Sequence, residues 1–408
     1  MLSRFIKSLR NSLSLYSSSI VATLPKERLL ALDVFRGITI TAMILVNNPG
    51  SWSFVYPPLL HAKWHGLTPT DLIFPFFVFI VGVSISIVVH RGLSNGIKRM
   101  TLMKSAFVRS FKLFILGLML ALFYYNFLDD AYSWIDQRLF SIRVMGVLQR
   151  LALVFIFTFA IVTFCKKSWQ WAIAIFILMS YWLIMMYVPY SDSQGNVLQG
   201  QLLFGNNLAA WLDAKIFAAK HLYYSQSTPF AFDPEGLLST LPAISGCLFG
   251  VFTGDLLTNK TQSLDSKVKS LFVYGVISLL VGYLWAMFFP VNKALWTSTF
   301  VLVTTGWALI SLSLLTYLID IKGYKNWSAP FVVFGANAIF FYMFSGVIER
   351  VLLMIPMTDT PLQAWIYTTI FQPLFGNFNG SLMYAIVFLL LCYVVMHQLY
   401  KRNIFFKV

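Results

Sequence analysis

The chain of 408 residues is 58% hydrophobic and 17% aromatic but only 11% charged, which leaves too little polar surface for a water-soluble globular protein. Thirty Lys and Arg against 15 Asp and Glu give +15, yet the basic residues are dispersed between apolar stretches and make no continuous patch, which excludes a nucleic-acid binder. Cys165, Cys247 and Cys392 all fall in or beside apolar segments and cannot form a disulfide framework.

Residues 1–28 place Leu2, Phe5, Ile6, Leu9 and Leu13 at helical spacing with Arg4, Lys7 and Arg10 between them, the pattern of a basic amphipathic arm on an anionic membrane surface. The apolar run breaks at Ser17, Ser18 and Ser19 and no clear small-residue cleavage site follows, so signal-peptide cleavage is not expected. From residue 29 onward ten windows reach the roughly 20 apolar residues that a helix needs to cross a hydrocarbon core of about 30 Å. They are 29–49, 70–90, 107–128, 143–164, 169–189, 237–258, 270–290, 296–318, 328–352 and 381–400. The windows are continuously apolar, whereas barrel strands alternate and are about half as long. The expected fold is all-α, a polytopic membrane helical bundle of about ten transmembrane helices.

With the N-terminus inside, 21 of the 30 Lys and Arg fall on inside segments, 6 on outside segments, and Arg36, Arg143 and Arg150 within helices. The positive-inside rule therefore places both termini in the cytoplasm. The longest outside segment, about 190–236, carries few charges and is placed to cap a site. No internal repeat or second soluble domain is evident.

An ionisable side chain inside a bilayer costs several kcal/mol unless it is paired or reaches water, so each one is a functional candidate. Two polar zones emerge. Asn47, His61, Asp71, Arg143, Arg150, Glu235, Asn292, Lys293 and Trp296 lie toward the outer half, and Asp33 and Arg36 toward the inner half. Asp33 and Arg36, three apart on a helix, make either a structural ion pair or, through Arg36, a bidentate grip on an anion from the cytoplasm. Arg143 and Arg150 are seven apart, on one face of the expected fourth helix; they either pair with Asp71, Glu235 or helix C-terminal carbonyls or line a cavity for an anionic ligand. Glu235 either caps the sixth helix or faces that cavity.

His61 stands in the outside loop 57–66, and a histidine there suits a general base. His65, four residues on, would allow a metal pair, but no cysteine lies nearby and the segment has no Glu, so no metal site is expected.

These residues fall in motifs that resemble the heparan-alpha-glucosaminide N-acetyltransferase family, its bacterial members in particular. The resemblance rests on Leu32-Asp33-Val34-Phe35-Arg36-Gly37, Val46-Asn47, His61-Ala62-Lys63-Trp64, Gly66-Leu67-Thr68, and the stretch from Asp71-Leu72-Ile73-Phe74-Pro75 to Ile80. Further matches are Gly146-Val147-Leu148-Gln149-Arg150, Asp233-Pro234-Glu235-Gly236, Val291-Asn292-Lys293-Ala294-Leu295-Trp296 and Gly335-Ala336-Asn337-Ala338-Ile339.

The resemblance implies a multi-pass enzyme of a bacterial inner membrane. Such an enzyme takes acetyl from cytoplasmic acetyl-CoA and places it on the amino group of a glucosamine-type sugar at the opposite face. It implies His61 and Asn47 as the catalytic pair, with His61 as general base or transient acetyl carrier. Arg36, Arg143, Gln149 and Arg150 are the expected cofactor-binding residues, with Gly37, Gly82 and Gly117 leaving room for the pantetheine arm. Asp71, Glu235, Asn292, Lys293 and Trp296 are the expected substrate-binding residues. Animal members carry a lumenal domain before the first helix where this chain has 28 residues, so a free or short amino sugar is expected rather than a long polymer. Membrane lipid and a second copy in a homodimer are the other expected partners. The rival readings are a secondary transporter of a small anionic or amino-sugar solute, which calls for repeats or paired broken helices, and a membrane acyltransferase of other specificity.

Overall fold

A computed structural model describes residues 29–406 together with Ser17 and Ile20; otherwise the arm expected over residues 1–28 lies outside the described residues. The helices are α1 (Leu30–Asn47), α2 (Ile73–Ser94), α3 (Arg99–Leu122), α4 (Val147–Phe164), α5 (Lys167–Tyr187), α6 (Leu208–Ile216) and α7 (Leu237–Thr258). They continue as α8 (Leu264–Trp285), α9 (Ser298–Thr316), α10 (Ala329–Ala336), α11 (Ala338–Met354), α12 (Leu362–Ile366), α13 (Gln372–Phe375) and α14 (Asn377–Lys401). Among the described residues, nine helices are long and apolar enough to cross a bilayer, and α10 with α11 makes a tenth, bent by 75°. The expected all-α polytopic bundle is therefore the fold observed. Extended structure is confined to two-residue antiparallel pairs, of which Tyr190–Ser191 with Val197–Leu198 and Leu202–Leu203 with Asn206–Asn207 stand in the long segment between α5 and α6.

The central helices differ from the peripheral ones in how much of their apolar surface faces protein. In α7, 72% of the spanning window is buried, against 17% in α8, whose Phe272, Ile277, Leu280 and Leu284 point outward. A soluble protein could not sustain such a belt, which is what a bilayer covers. Inside, glycines set the helix spacing. A Cβ on Gly37 would strike the Phe331 carbonyl of α10, and one on Gly82 the Cys247 carbonyl of α7. In a membrane small residues let backbones approach and gain van der Waals contact. Gly37, Gly82 and Gly117 were expected to leave room for a ligand arm. The structure corrects this: Gly37 and Gly82 are filled by neighbouring helix backbone and Gly117 by the Gln149 side chain.

Most spans shift by a few residues from their expected bounds, α8 among them at Leu264–Trp285 against 270–290, and three of the shifts bear on the site residues. α3 begins at Arg99 rather than 107, because Arg99 and Lys104 extend the helix at its wet end, where long basic side chains keep their charge in water. α4 begins at Val147, so Arg143 precedes the helix and shares no helical face with Arg150. The expected span 328–352 is broken at Asn337, whose φ of −126° leaves the helix. Its amide is used elsewhere: Nδ2 donates to the Ile404 carbonyl at 3.0 Å and Oδ1 accepts the Phe406 N–H at 2.9 Å. The start of α1 is tied to the π-helical turn Tyr317–Ile321 that follows α9, where Asp320 accepts the Leu30 and Ala31 N–H groups at 3.2 and 3.1 Å. Leu30, Asn337 and Phe406 thus share one end of the bundle, and the loops 48–72, 188–236 and 286–297 gather at the other.

Candidate functional site

The loop between α1 and α2 is built around one carboxylate. Asp71 ends a short turn after Pro69, and with Thr68 it makes a capping box: Oδ2 accepts the Thr68 N–H at 2.9 Å, the Thr68 hydroxyl at 3.0 Å and the Ala62 N–H at 3.1 Å. Its other oxygen, Oδ1, lies 2.7 Å from His61 Nδ1. Asp71 is fully buried while the His61 side chain is half exposed, so the carboxylate sits behind the imidazole. A carboxylate on Nδ1 fixes the proton there and leaves Nε2 as the basic nitrogen. Lys293 Nζ lies 3.0 Å from both His61 ring nitrogens and 3.8 Å from Asp71 Oδ1. Burial lowers the Lys293 ammonium from its ordinary range, and the Asp71 and Glu235 carboxylates act against that shift.

A second loop, 286–297, holds the first in place. Asn292 is fully buried; Nδ2 donates to the Trp64 carbonyl at 3.0 Å and to His65 Nδ1 at 3.3 Å, and Oδ1 accepts the Leu295 N–H at 2.9 Å. The Gly66 N–H donates to the Val291 carbonyl at 2.8 Å, and Trp64 Nε1 to the Leu202 carbonyl at 2.7 Å. Burial lowers the His65 imidazole, in keeping with a neutral ring that accepts from an amide. Asn292 was expected to bind substrate. The structure corrects this, because its donors and acceptor are taken by protein groups and no surface is left for a ligand.

Beside this lies an arginine–carboxylate cluster. Arg143 donates to both oxygens of Asp233, Nε at 2.7 Å and Nη2 at 2.6 Å, reaches Glu235 Oε2 at 2.5 Å, and stacks 4.6 Å from the Tyr223 ring. Burial alone would push the Glu235 carboxyl up, but the Arg143 and Arg150 guanidiniums hold it below its ordinary range. Behind the turn, buried Asp213 of α6 accepts the Leu237 N–H at 3.1 Å and the Asp233 N–H at 3.3 Å, and burial pushes its carboxyl up to about 7. Arg150, fully buried on α4, donates to Ser239 Oγ and the Gly236 carbonyl and lies 4.9 Å from the Trp296 ring. Trp296 itself is 2% exposed, with φ +49°, a left-handed conformation held by Phe74 and Phe300 packed edge-on against it.

These groups surround one cavity of about 310 Å³, whose wall includes Asn47, His61, Asp71, Glu235, Lys293 and Trp296. Sequence reasoning had placed all six in the outer zone. It missed Phe204, Tyr223 and Tyr224, which close the cavity from the 188–236 segment. Asp213 was also missed, since nothing local marks a carboxylate whose partner turn lies about 20 residues away.

The expected cofactor-binding residues do not form one site. Arg143 and Arg150 belong to the cluster just described, and Gln149 is buried against Gly117 and Gly146. Arg36 alone lies at the opposite end, where its Nη1 meets Asp33 Oδ1 at 3.4 Å and its Nη2 donates to Ser84 Oγ at 3.2 Å. The expected Asp33–Arg36 pair is thus present. Arg36 lines a cavity of about 470 Å³ together with Arg109, Ser105 and Asn337, among apolar side chains of α2, α3 and α4. Arg109 was missed because the expected span started at 107, which made a mid-helix arginine look terminal. The two cavities share no lining residue. Among the described residues no group of three His, Cys, Asp or Glu is placed to hold a metal.

The architecture defines a polytopic all-α membrane protein with a histidine–carboxylate dyad in a cavity at one end of the bundle and an arginine-lined cavity at the other. Residues 28–288 match the family described as heparan-alpha-glucosaminide N-acetyltransferase, catalytic, and the chain belongs to that family. It is 29% identical over 369 residues to heparan-alpha-glucosaminide N-acetyltransferase of Mus musculus, covering 79% of this chain and 54% of the relative. To the protein of the same name from Homo sapiens it is 30% identical over 366 residues, covering 79% and 53%. The chain spans about half the length of the relatives it matches.

Proposed function

We propose that the chain is a transmembrane N-acetyltransferase that moves acetyl from acetyl-CoA to the amine of a glucosamine-type sugar, with His61 as general base. The observation that carries this reading is the dyad: His61 Nε2 faces a cavity that also holds Asn47, while Asp71 fixes the other ring nitrogen. In the transfer, His61 Nε2 takes a proton from the sugar ammonium and the freed amine attacks the thioester carbonyl. The Asn47 amide donates to the oxyanion of the tetrahedral intermediate; on its collapse the C–S bond breaks, and the second proton on the new C–N nitrogen passes to the departing thiolate. Lys293 Nζ, 3.0 Å from both ring nitrogens, stands against the imidazole until a substrate ammonium takes its place. Glu235 supplies a carboxylate for the sugar, and Asp71 acts as a positioning residue rather than as a substrate ligand.

The arginine cavity at the opposite end fits the donor. Arg36 and Arg109 offer two planar forks for phosphate oxygens, and the apolar wall suits a thin acyl-carrying arm. Lys98, Lys166, Lys167 and Lys260 lie in or beside the loops at that end, which supports placing it in the cytoplasm of a bacterial cell and both termini with it. His61→Ala is expected to insert normally and to lose about 10²- to 10⁴-fold in acetyl transfer from labelled acetyl-CoA to glucosamine in proteoliposomes. Wild-type turnover in that variant sinks the assignment. Acetyl-protein trapped without acceptor distinguishes a carrier histidine from a base.

One observation favours a transporter as the second reading: the break at Asn337 lies on the arginine cavity, as broken helices do in secondary transporters. That reading calls for paired breaks, and one bent pair passes among the described residues. Uptake of the sugar into vesicles in unmodified form would support it.

A further inference from the structure

A third cavity, of about 290 Å³, adjoins the one that holds His61 and shares Arg143, Val147 and Tyr223 with its wall. Its lining also includes Arg138, Arg350 and Tyr342. Of the three guanidiniums, Arg143 is neutralised by Asp233 and Glu235. The other two form no ion pair among the described residues. Arg138 Nε donates to the Tyr132 hydroxyl at 3.1 Å and its guanidinium lies 4.4 Å from the Tyr124 ring; Arg350 Nη1 donates to the Gly346 carbonyl of its own helix at 2.9 Å. Two half-buried like charges facing one cavity repel each other, and an anion placed between them removes that cost.

We propose, on the acetyltransferase reading, that this cavity is an oxyanion subsite of the acceptor. The preferred acceptor is then an amino sugar bearing a phosphate, with its amine at His61 and its phosphate between Arg138 and Arg350. Among the described residues neither guanidinium has a carboxylate in contact, though Glu349 beside Arg350 offsets part of its charge; a phosphate monoester, at roughly −1.5 to −2 near pH 7 and with three oxygens, can engage both where a carboxylate serves one. Arginine forks also take phosphate oxygens bidentately. The segment between α3 and α4 exposes Phe127, Ile135 and Phe140 beside Arg138, so the phosphate comes either from a soluble sugar phosphate, whose monoester fits the charge argument, or from a lipid-linked sugar, whose phosphodiester carries a single charge.

The test uses the full chain. Labelled acetyl transfer is measured in liposomes with glucosamine, with glucosamine 6-phosphate, and with a glucosaminyl phospholipid reconstituted in the same bilayer. Binding of labelled glucosamine 6-phosphate is measured separately by equilibrium dialysis in detergent. The wild-type KM for a phosphate-bearing acceptor is expected about tenfold or more below that for glucosamine. Arg138→Gln and Arg350→Gln are each expected to raise it about ten- to a hundredfold with kcat nearly constant, and the Lys variants to restore part of the loss. The ranking of the soluble and lipid-linked acceptors names the source. Equal KM values for phosphorylated and plain acceptors in the wild type overturn the subsite, as does a rise shared equally by both acceptors in the Gln variants. If no amino sugar is acetylated but dialysis shows arginine-dependent binding, the acetyltransferase reading falls and the subsite stands; absence of that binding overturns the subsite whatever the turnover.

Discussion

Asp71→Asn is the substitution that separates the chemistry of the dyad from the architecture of its loop. Asp71 Oδ2 serves three donors, the N–H groups of Ala62 and Thr68 and the Thr68 hydroxyl. Alanine would strand all three, at about 1–3 kcal/mol for each left buried, and the loop that carries His61 would come loose. Asparagine keeps the loop if its carbonyl oxygen takes the Oδ2 position, but its NH₂ then faces His61 Nδ1 across 2.7 Å. A donor there forces Nδ1 to accept, so the imidazole proton moves to Nε2 and the lone pair leaves the cavity side. The expected loss is that of a general base, about 10²- to 10⁴-fold in kcat, or roughly 3–5 kcal/mol of barrier. Acetyl transfer in proteoliposomes gives kcat, and thermal unfolding in detergent reports the loop. A folded Asp71→Asn protein with kcat within about threefold of wild type would refute the tautomer argument.

The remaining expectations concern other parts of the bundle. Arg109→Ala, at the opposite end, should raise the KM for acetyl-CoA about ten- to a hundredfold and leave that for glucosamine nearly unchanged, as steady-state kinetics with each substrate varied will show. Gly37→Ala drives a methyl into the Phe331 backbone carbonyl and is expected to destabilise by about 1–3 kcal/mol or more; Gly246→Ala, whose Cβ meets only Val301 Cγ1 at 3.6 Å, should keep the wild-type melting temperature. Burial lifts Asp213 from the ordinary 3.8 to about 7, so between those values the folded chain holds a proton that the unfolded chain has released. Stability from this group is complete below about pH 4 and lost as pH rises through 7. Melting temperature should therefore fall from pH 5.5 to 8 more steeply in wild type than in Asp213→Asn.

What the sequence made legible was what a bilayer imposes: length, apolar continuity and the cost of a charge. Those rules locate the spans, and they place Asn47, His61, Asp71, Glu235, Lys293 and Trp296 in one zone, which the structure gathers around one cavity. They are silent on which hydrogen bonds a polar residue spends on its own chain. Asn292 and Asp71 look alike as intramembrane polar residues, yet both are committed to the loop, and only Asp71 also touches His61. The break at Asn337 has no proline or glycine at the residue itself. Its cause is a partner strand of backbone at Ile404 and Phe406, about 70 residues on, which no local pattern announces.

The two cavities are linked by one helix. Arg36 and Asn47 are eleven residues apart on α1, which at about 100° per residue returns both to nearly the same face and separates them by about 16 Å along the axis. The residues between them on that side, Ile40 and Met43, are buried and apolar. A charged or hydrated species meets a low-dielectric barrier there. Met43 is the side chain best suited to yield, being unbranched with three rotatable bonds. A donor anchored by its phosphates at Arg36 and Arg109 can thus present a thioester toward Asn47 while the strip between still holds back ions and water. On the proposed acetyltransferase reading, this separation of tasks would let acetyl cross without a leak, and it supports reading the two cavities as halves of one reaction rather than as two independent sites.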